Sequence, residues 1–120
     1  MSARPQYKSH PLWNEAIELA REAYALAGQI SDPGASSRLR KAAVRVPAQI
    51  AGALSTEETE RDEHVLAARG ALAEVSRQAS RDSDARGPAA LLSSRLAKRA
   101  DALEKALLFE LGVSAGRAFS

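Results

Sequence analysis

Arg38, Lys41 and Arg45 recur at steps of three and four residues, a spacing that lines three cations along one side of a helix. With Arg40 beside them they are the four basic residues between Gly34 and Leu54, a stretch without a single acid. Cations so placed can hold phosphates, with an affinity that falls steeply as salt rises. The competing interpretation is a solvated helix face, or a set of partners for glutamates on neighbouring helices. No aromatic residue interleaves with the row, so binding would be directed at a nucleic-acid backbone rather than at stacked bases. Arg95, Lys98 and Arg99 form a second basic cluster, diluted by Asp101 and Glu104, and Arg69 and Arg77 are further candidate contributors to a positive surface.

Catalytic chemistry has few candidates. The chain has no cysteine, and a hydroxyl nucleophile would need His10 or His64 to activate it. His10 precedes Pro11 and reads as a helix cap. His64 follows the acidic run Glu57, Glu58, Glu60, Asp62 and Glu63, which invites a metal. Di-metal bundles, however, use Glu-x-x-His, and the residue three before His64 is Arg61. Acids in a first helical turn are expected from the helix dipole alone. No glycine-rich phosphate loop is present, and Gly70 stands isolated within a helical pattern. No catalytic residue, metal ligand or cofactor is therefore assigned, and an enzyme is not expected.

The elements that must carry these residues are helical. Valine and isoleucine together supply only 8 of 120 positions, while alanine and leucine dominate the apolar set. The length suits one domain. The net charge of +2 is small beside a pI of about 9.3, so the distribution of charge carries more information than its total. No apolar run reaches the roughly 18 residues of a membrane span. The opening MSARPQYKSHP has no signal-like apolar stretch, so a soluble cytoplasmic protein is expected.

A first helix is predicted from Pro11 to about Ile30, with Trp13, Ala16, Ile17, Ala20, Tyr24 and Ala27 on its inner face. Ser31-Asp32-Pro33-Gly34 stops it, and a second helix is expected to start with Ser36 or Ser37 as N-cap. Leu39, Ala43, Val46, Ile50 and Leu54 form its core stripe, opposite Arg38, Lys41, Arg45, Gln49 and Gly52, and Pro47 predicts a kink rather than two helices. Ser55-Thr56-Glu57-Glu58 reads as a capping box opening a third helix, whose seam is Val65, Ala68, Leu72, Val75 and Ala79. Residues 82–87 read as a loop. Pro88 opens a fourth helix with Leu92, Leu96, Ala100, Leu103, Leu107 and Leu111 in line and Gly112 as its cap. An antiparallel up-down four-helix bundle over residues 11–112 follows, between a flexible segment 1–10 and a tail 113–120 that frays or docks on a partner chain. Leu12, Leu19, Leu66, Leu91 and Leu108 fall off the main stripes and are available for a subunit interface.

Three blocks resemble the four-helix-bundle family of 23S rRNA intervening-sequence proteins. They are Trp13-Asn14-Glu15-Ala16-Ile17-Glu18-Leu19 with Tyr24, the run from Arg38 to Ala51 with its proline inside a basic amphipathic helix, and Ala68-Arg69-Gly70-Ala71-Leu72-Ala73-Glu74-Val75. The third is similar to the family's Ala-Arg-Gly-Ser-Leu-x-Glu-Leu pattern. The family is in turn similar to the accessory variability determinant proteins of diversity-generating retroelements, homopentameric barrels that bind a reverse transcriptase and nucleic acid. The resemblance implies a homo-oligomer, a pentamer, and a non-enzymatic role with DNA or RNA and a reverse transcriptase as partners. Where the family reads Ser-Ile-Pro-Ser-Asn-Ile-Ala-Glu-Gly, this chain reads Arg45-Val46-Pro47-Ala48-Gln49-Ile50-Ala51-Gly52-Ala53. Arg45 and Gly52 each make the same helical stripe one unit more positive. A protein scaffold that binds no nucleic acid is the alternative, with the basic stripe serving an acidic partner or an intersubunit contact.

Overall fold

A computed structural model describes residues 6–81 and 87–112, so the expectations for the first residues, most of the third loop and the tail lie outside the described residues. A 3-10 turn at Tyr7–Ser9 leads into four helices, α1 (Pro11–Ala27), α2 (Pro33–Ser55), α3 (Glu58–Arg81) and α4 (Pro88–Leu111). Each helix packs on the next, and α4 returns to α1, closing a four-helix bundle. The connections force the antiparallel arrangement, because five, two and six residues cannot run back along helices of 17 to 24 residues.

His10 does cap α1, its Nδ1 accepting from the Leu12 N–H at 3.0 Å, with Pro11 at the first helical position. The inner face of α1 differs from the expected one. Leu12, Ala16, Leu19, Ala23, Leu26 and Ala27 are buried, while Trp13, Ile17 and Ala20 are half-buried and Tyr24 is exposed. Leu12 and Leu19, expected as surplus for an interface, are therefore core. The reason is that two neighbouring lines on α1 have nearly the same periodicity, and the slimmer leucine-alanine line lets the backbones approach. The aromatics cover the margin: Trp13 meets Tyr7 edge-on at 5.6 Å, and the Arg40 guanidinium lies 5.7 Å from the centre of the Tyr24 ring.

α2 starts four to five residues earlier than predicted. Asp32 is its N-cap, accepting from the Ala35 N–H at 3.0 Å, and Pro33 takes the first position. Ser36, the expected cap, is instead buried inside the first turns and donates to the Ala27 carbonyl at 2.9 Å, fastening the end of α1 to the start of α2. The helix continues as one element through the buried Pro47. Ser55 is its last residue, so the predicted capping box does not form; with only Thr56 and Glu57 between the helices, Glu58 opens α3 rather than standing in its third position. The α3 seam is buried as predicted, as are Leu96, Ala100, Leu103 and Leu107 of α4. Gly87, at φ 70, makes the turn into Pro88, and Gly112 caps α4 by donating to the Leu108 carbonyl at 2.9 Å. Among the described residues, no helix is long and apolar enough to cross a membrane.

Candidate nucleic-acid interface

The core stripe of α2 turns Arg38, Lys41 and Arg45 outward along the side that faces α3. Between the two helices lies an open groove of about 580 Å³. Its α2 wall consists of those three cations, Ala42 and Gln49; its α3 wall consists of Ala67, Gly70, Ala71 and Glu74. The hydrogen-bonding pair Gln49 Oε1 and His64 Nδ1, 2.7 Å apart, sets the register between the helices at one end. Counting back from that pair along two antiparallel helices brings Arg45, Lys41 and Arg38 to the levels of residues 68, 72 and 75 of α3, so the three cations run along the stretch from Ala67 to Glu74. The acidic start of α3 consequently lies beyond Gln49 and does not face the cations. Among the described residues, no carboxylate comes within 4.0 Å of Lys41 or Arg45, and Arg38 reaches only the Asp32 carboxylate, at 4.0 Å and with both groups well exposed. An ion pair that long and exposed contributes little.

Glu74 is the groove's negative group. It accepts hydrogen bonds from Arg77 and from the Gln78 amide, the latter at 2.6 Å, and these bonds, with a smaller contribution from the charges of Arg77 and of Arg38 across the groove, hold its carboxyl below the usual carboxylate range. A lowered pKa means that the charge persists at all pH values above that range and is lost only below it. Glu74→Gln is expected to tighten the binding of a phosphodiester strand by about two- to fivefold, the effect of removing one screened charge. The gain should be equal at about pH 5.5 and 7.5, because Glu74 is ionised at both. Fluorescence titration of the two proteins at both pH values checks this.

The remaining candidates lie elsewhere. Arg40, flanking the row in sequence, points to Tyr24 on α1 and does not join the groove. Arg77 is engaged by Glu74, and Arg69 bonds Glu104 of α4 at 3.2 Å. Arg99 bridges to Glu15 at 2.7 Å and Glu22 at 3.2 Å, and its bond to Glu22 pushes the guanidinium above its ordinary pKa. Arg95 stands 3.9 Å from the same Glu22. With Lys98 they line a second, shallower pocket between α1 and α4 that holds two glutamates against three cations. That cluster straps the first helix to the last. The structure thus separates a row on α2, in which Lys41 and Arg45 meet no carboxylate among the described residues, from basic residues whose charge is largely answered.

No family model, curated protein or solved structure matches this chain. The groove's chemistry must carry the functional argument. Two of its residues escaped the sequence reading as site residues. Glu74 lies four residues after Gly70, on the same face of α3, and that spacing was the available signal. Gly70 sits inside a helix, where glycine costs roughly 1 kcal/mol relative to alanine, a cost that itself marks the position for scrutiny. His64 bonds Gln49, and its ring packs so closely on Gly52 that a Cβ there would lie 2.7 Å from it. Among the described residues, no three histidine, aspartate or glutamate side chains gather as a metal site.

Proposed function

We propose that this chain is a non-enzymatic, cytoplasmic, homo-oligomeric accessory protein that binds nucleic acid through its α2–α3 groove, and that it belongs with the 23S rRNA intervening-sequence proteins. The observation that carries the reading is the row Arg38, Lys41 and Arg45 beside a wall whose one charged residue, Glu74, is hydrogen-bonded by Arg77 and Gln78, with Lys41 and Arg45 unpaired among the described residues. Three phosphates per subunit make a weak site, and repetition around an oligomer raises the effective concentration of the next site for the same strand. Self-association is supported by the apolar surface: Phe109 is 81% exposed, Leu91 67% and Leu66 58%. The family resemblance specifies a pentamer and a reverse transcriptase as protein partner.

The test is mass determination by light scattering after gel filtration, with and without mixed-sequence DNA or RNA, at low and high salt. A pentamer that takes up nucleic acid only at low salt is the expected result. A pentamer indifferent to nucleic acid would leave the exposed apolar residues as the functional surface and make the protein a scaffold. A monomer would remove the assembly.

A further inference from the structure

Of the glycines described, Gly70 alone has no reason in the fold. Gly28, Gly34 and Gly112 sit at helix ends, Gly87 adopts a positive φ at a turn, and Gly52 makes room for the His64 ring. Gly70 lies in the middle of α3 without a positive φ, and a Cβ built on it would meet no atom within 4 Å. Alanine there would favour the helix and disturb nothing. The position nevertheless lines the groove whose other wall carries Lys41.

A bare backbone on the wall of an open groove permits the close approach of a ligand. The opposite wall states the ligand's charge: cations at Arg38, Lys41 and Arg45 span seven residues of helix, about 10 Å, along the groove's length. An apolar helix of a second subunit would desolvate those cations without compensation, whereas a chain of phosphates would match them. The groove, about 580 Å³ between two packed helices, offers one row of cations and so matches the phosphates of one strand. We infer that the groove takes a single sugar-phosphate strand, with its phosphates along Arg38, Lys41 and Arg45 and its sugars resting on Gly70. This inference rests on the nucleic-acid reading above and adds to it the residue that sets the depth of the site.

The experiment measures the anisotropy of fluorescein-labelled polythymidylate at about 50 mM salt with the intact protein, Gly70→Ala, Gly70→Leu and Lys41→Gln/Arg45→Gln, together with the melting temperature and mass of each. Gly70→Leu is expected to weaken binding roughly tenfold and Gly70→Ala about twofold. Both should melt no lower than the parent, with Gly70→Ala higher by about 4 °C. Loss of affinity with a gain of stability is a combination that a structural role for Gly70 would not produce. Parental affinity in Gly70→Leu alongside weakened Lys41→Gln/Arg45→Gln would overturn the inference and leave nucleic-acid binding standing. No binding by the intact protein, or none that depends on the two cations, would overturn both. A changed particle mass in the Gly70 variants would make the wall a subunit contact, and equal or tighter binding of the polyadenylate-paired duplex would exclude the single strand; either overturns the inference.

Discussion

Replacing Arg38, Lys41 and Arg45 together by glutamate should remove nucleic-acid binding at low salt, a loss of at least about a thousandfold. The estimate follows from three charge-assisted contacts becoming three repulsions on one wall of a groove whose other wall offers only alanines, Gly70 and Glu74. The same substitutions should leave the fold intact. All three side chains are exposed, and the sole ion pair among them is the 4.0 Å contact of Arg38 with Asp32. Salt provides a second check on the unmutated protein. Three neutralised phosphates predict a slope of about −2 for a single strand, so raising salt from about 50 to 200 mM should cost roughly 20-fold per subunit engaged. Unchanged affinity in the charge-reversed protein, with a native helical spectrum, would rule out this groove as the interface.

Leu39→Ala, next in sequence to Arg38, should have the opposite phenotype. Leu39 is completely buried in the core, and truncation there costs roughly 3–5 kcal/mol through lost transfer free energy and the cavity left behind. Domains of this size are stable by about 5–15 kcal/mol, so the melting temperature should fall by about 12–20 °C. Circular dichroism during heating reads this directly. At a temperature where the variant remains folded, its affinity for a phosphodiester strand should be within a factor of about two of the parent's, because its charges are untouched. A variant that melts like the parent would mean that the α2 core stripe is not where the structure puts it.

The sequence exposed the four-helix plan because its strongest periodic signals, the α3 seam and the leucine line of α4, are also its buried lines. It misled where two signals of similar strength competed. On α1, Trp13, Ile17 and Tyr24 recur at three- and four-residue steps much as Leu12, Leu19, Ala23 and Leu26 do, and the structure buries the second line and leaves the first at the margin. At the start of α2, Asp32 and Ser36 were both competent caps; the proline after Asp32 and the burial of Ser36 decided between them. The cationic row was legible as a row, but whether anything neutralised it was not. That depended on the register between α2 and α3, which is visible only in the Gln49–His64 contact. The same contact explains why the acids following Ser55, adjacent in sequence, are not the partners of Lys41 and Arg45.

The acidic start of α3 also gives the groove a length. From Glu57 to Glu63 five of seven residues are carboxylates, and they occupy the end of the bundle that the Gln49–His64 contact closes off. A polyanion lying along Arg38, Lys41 and Arg45 therefore runs from attraction into repulsion within one helical turn of Gln49. On the proposed nucleic-acid reading, the run would work as an electrostatic ruler: each subunit would cover a fixed few nucleotides however long the strand, and the strand would leave the surface where the acids begin. In an oligomer of the proposed kind, successive footprints would then be separated by stretches of nucleic acid that touch no protein and keep their bases accessible.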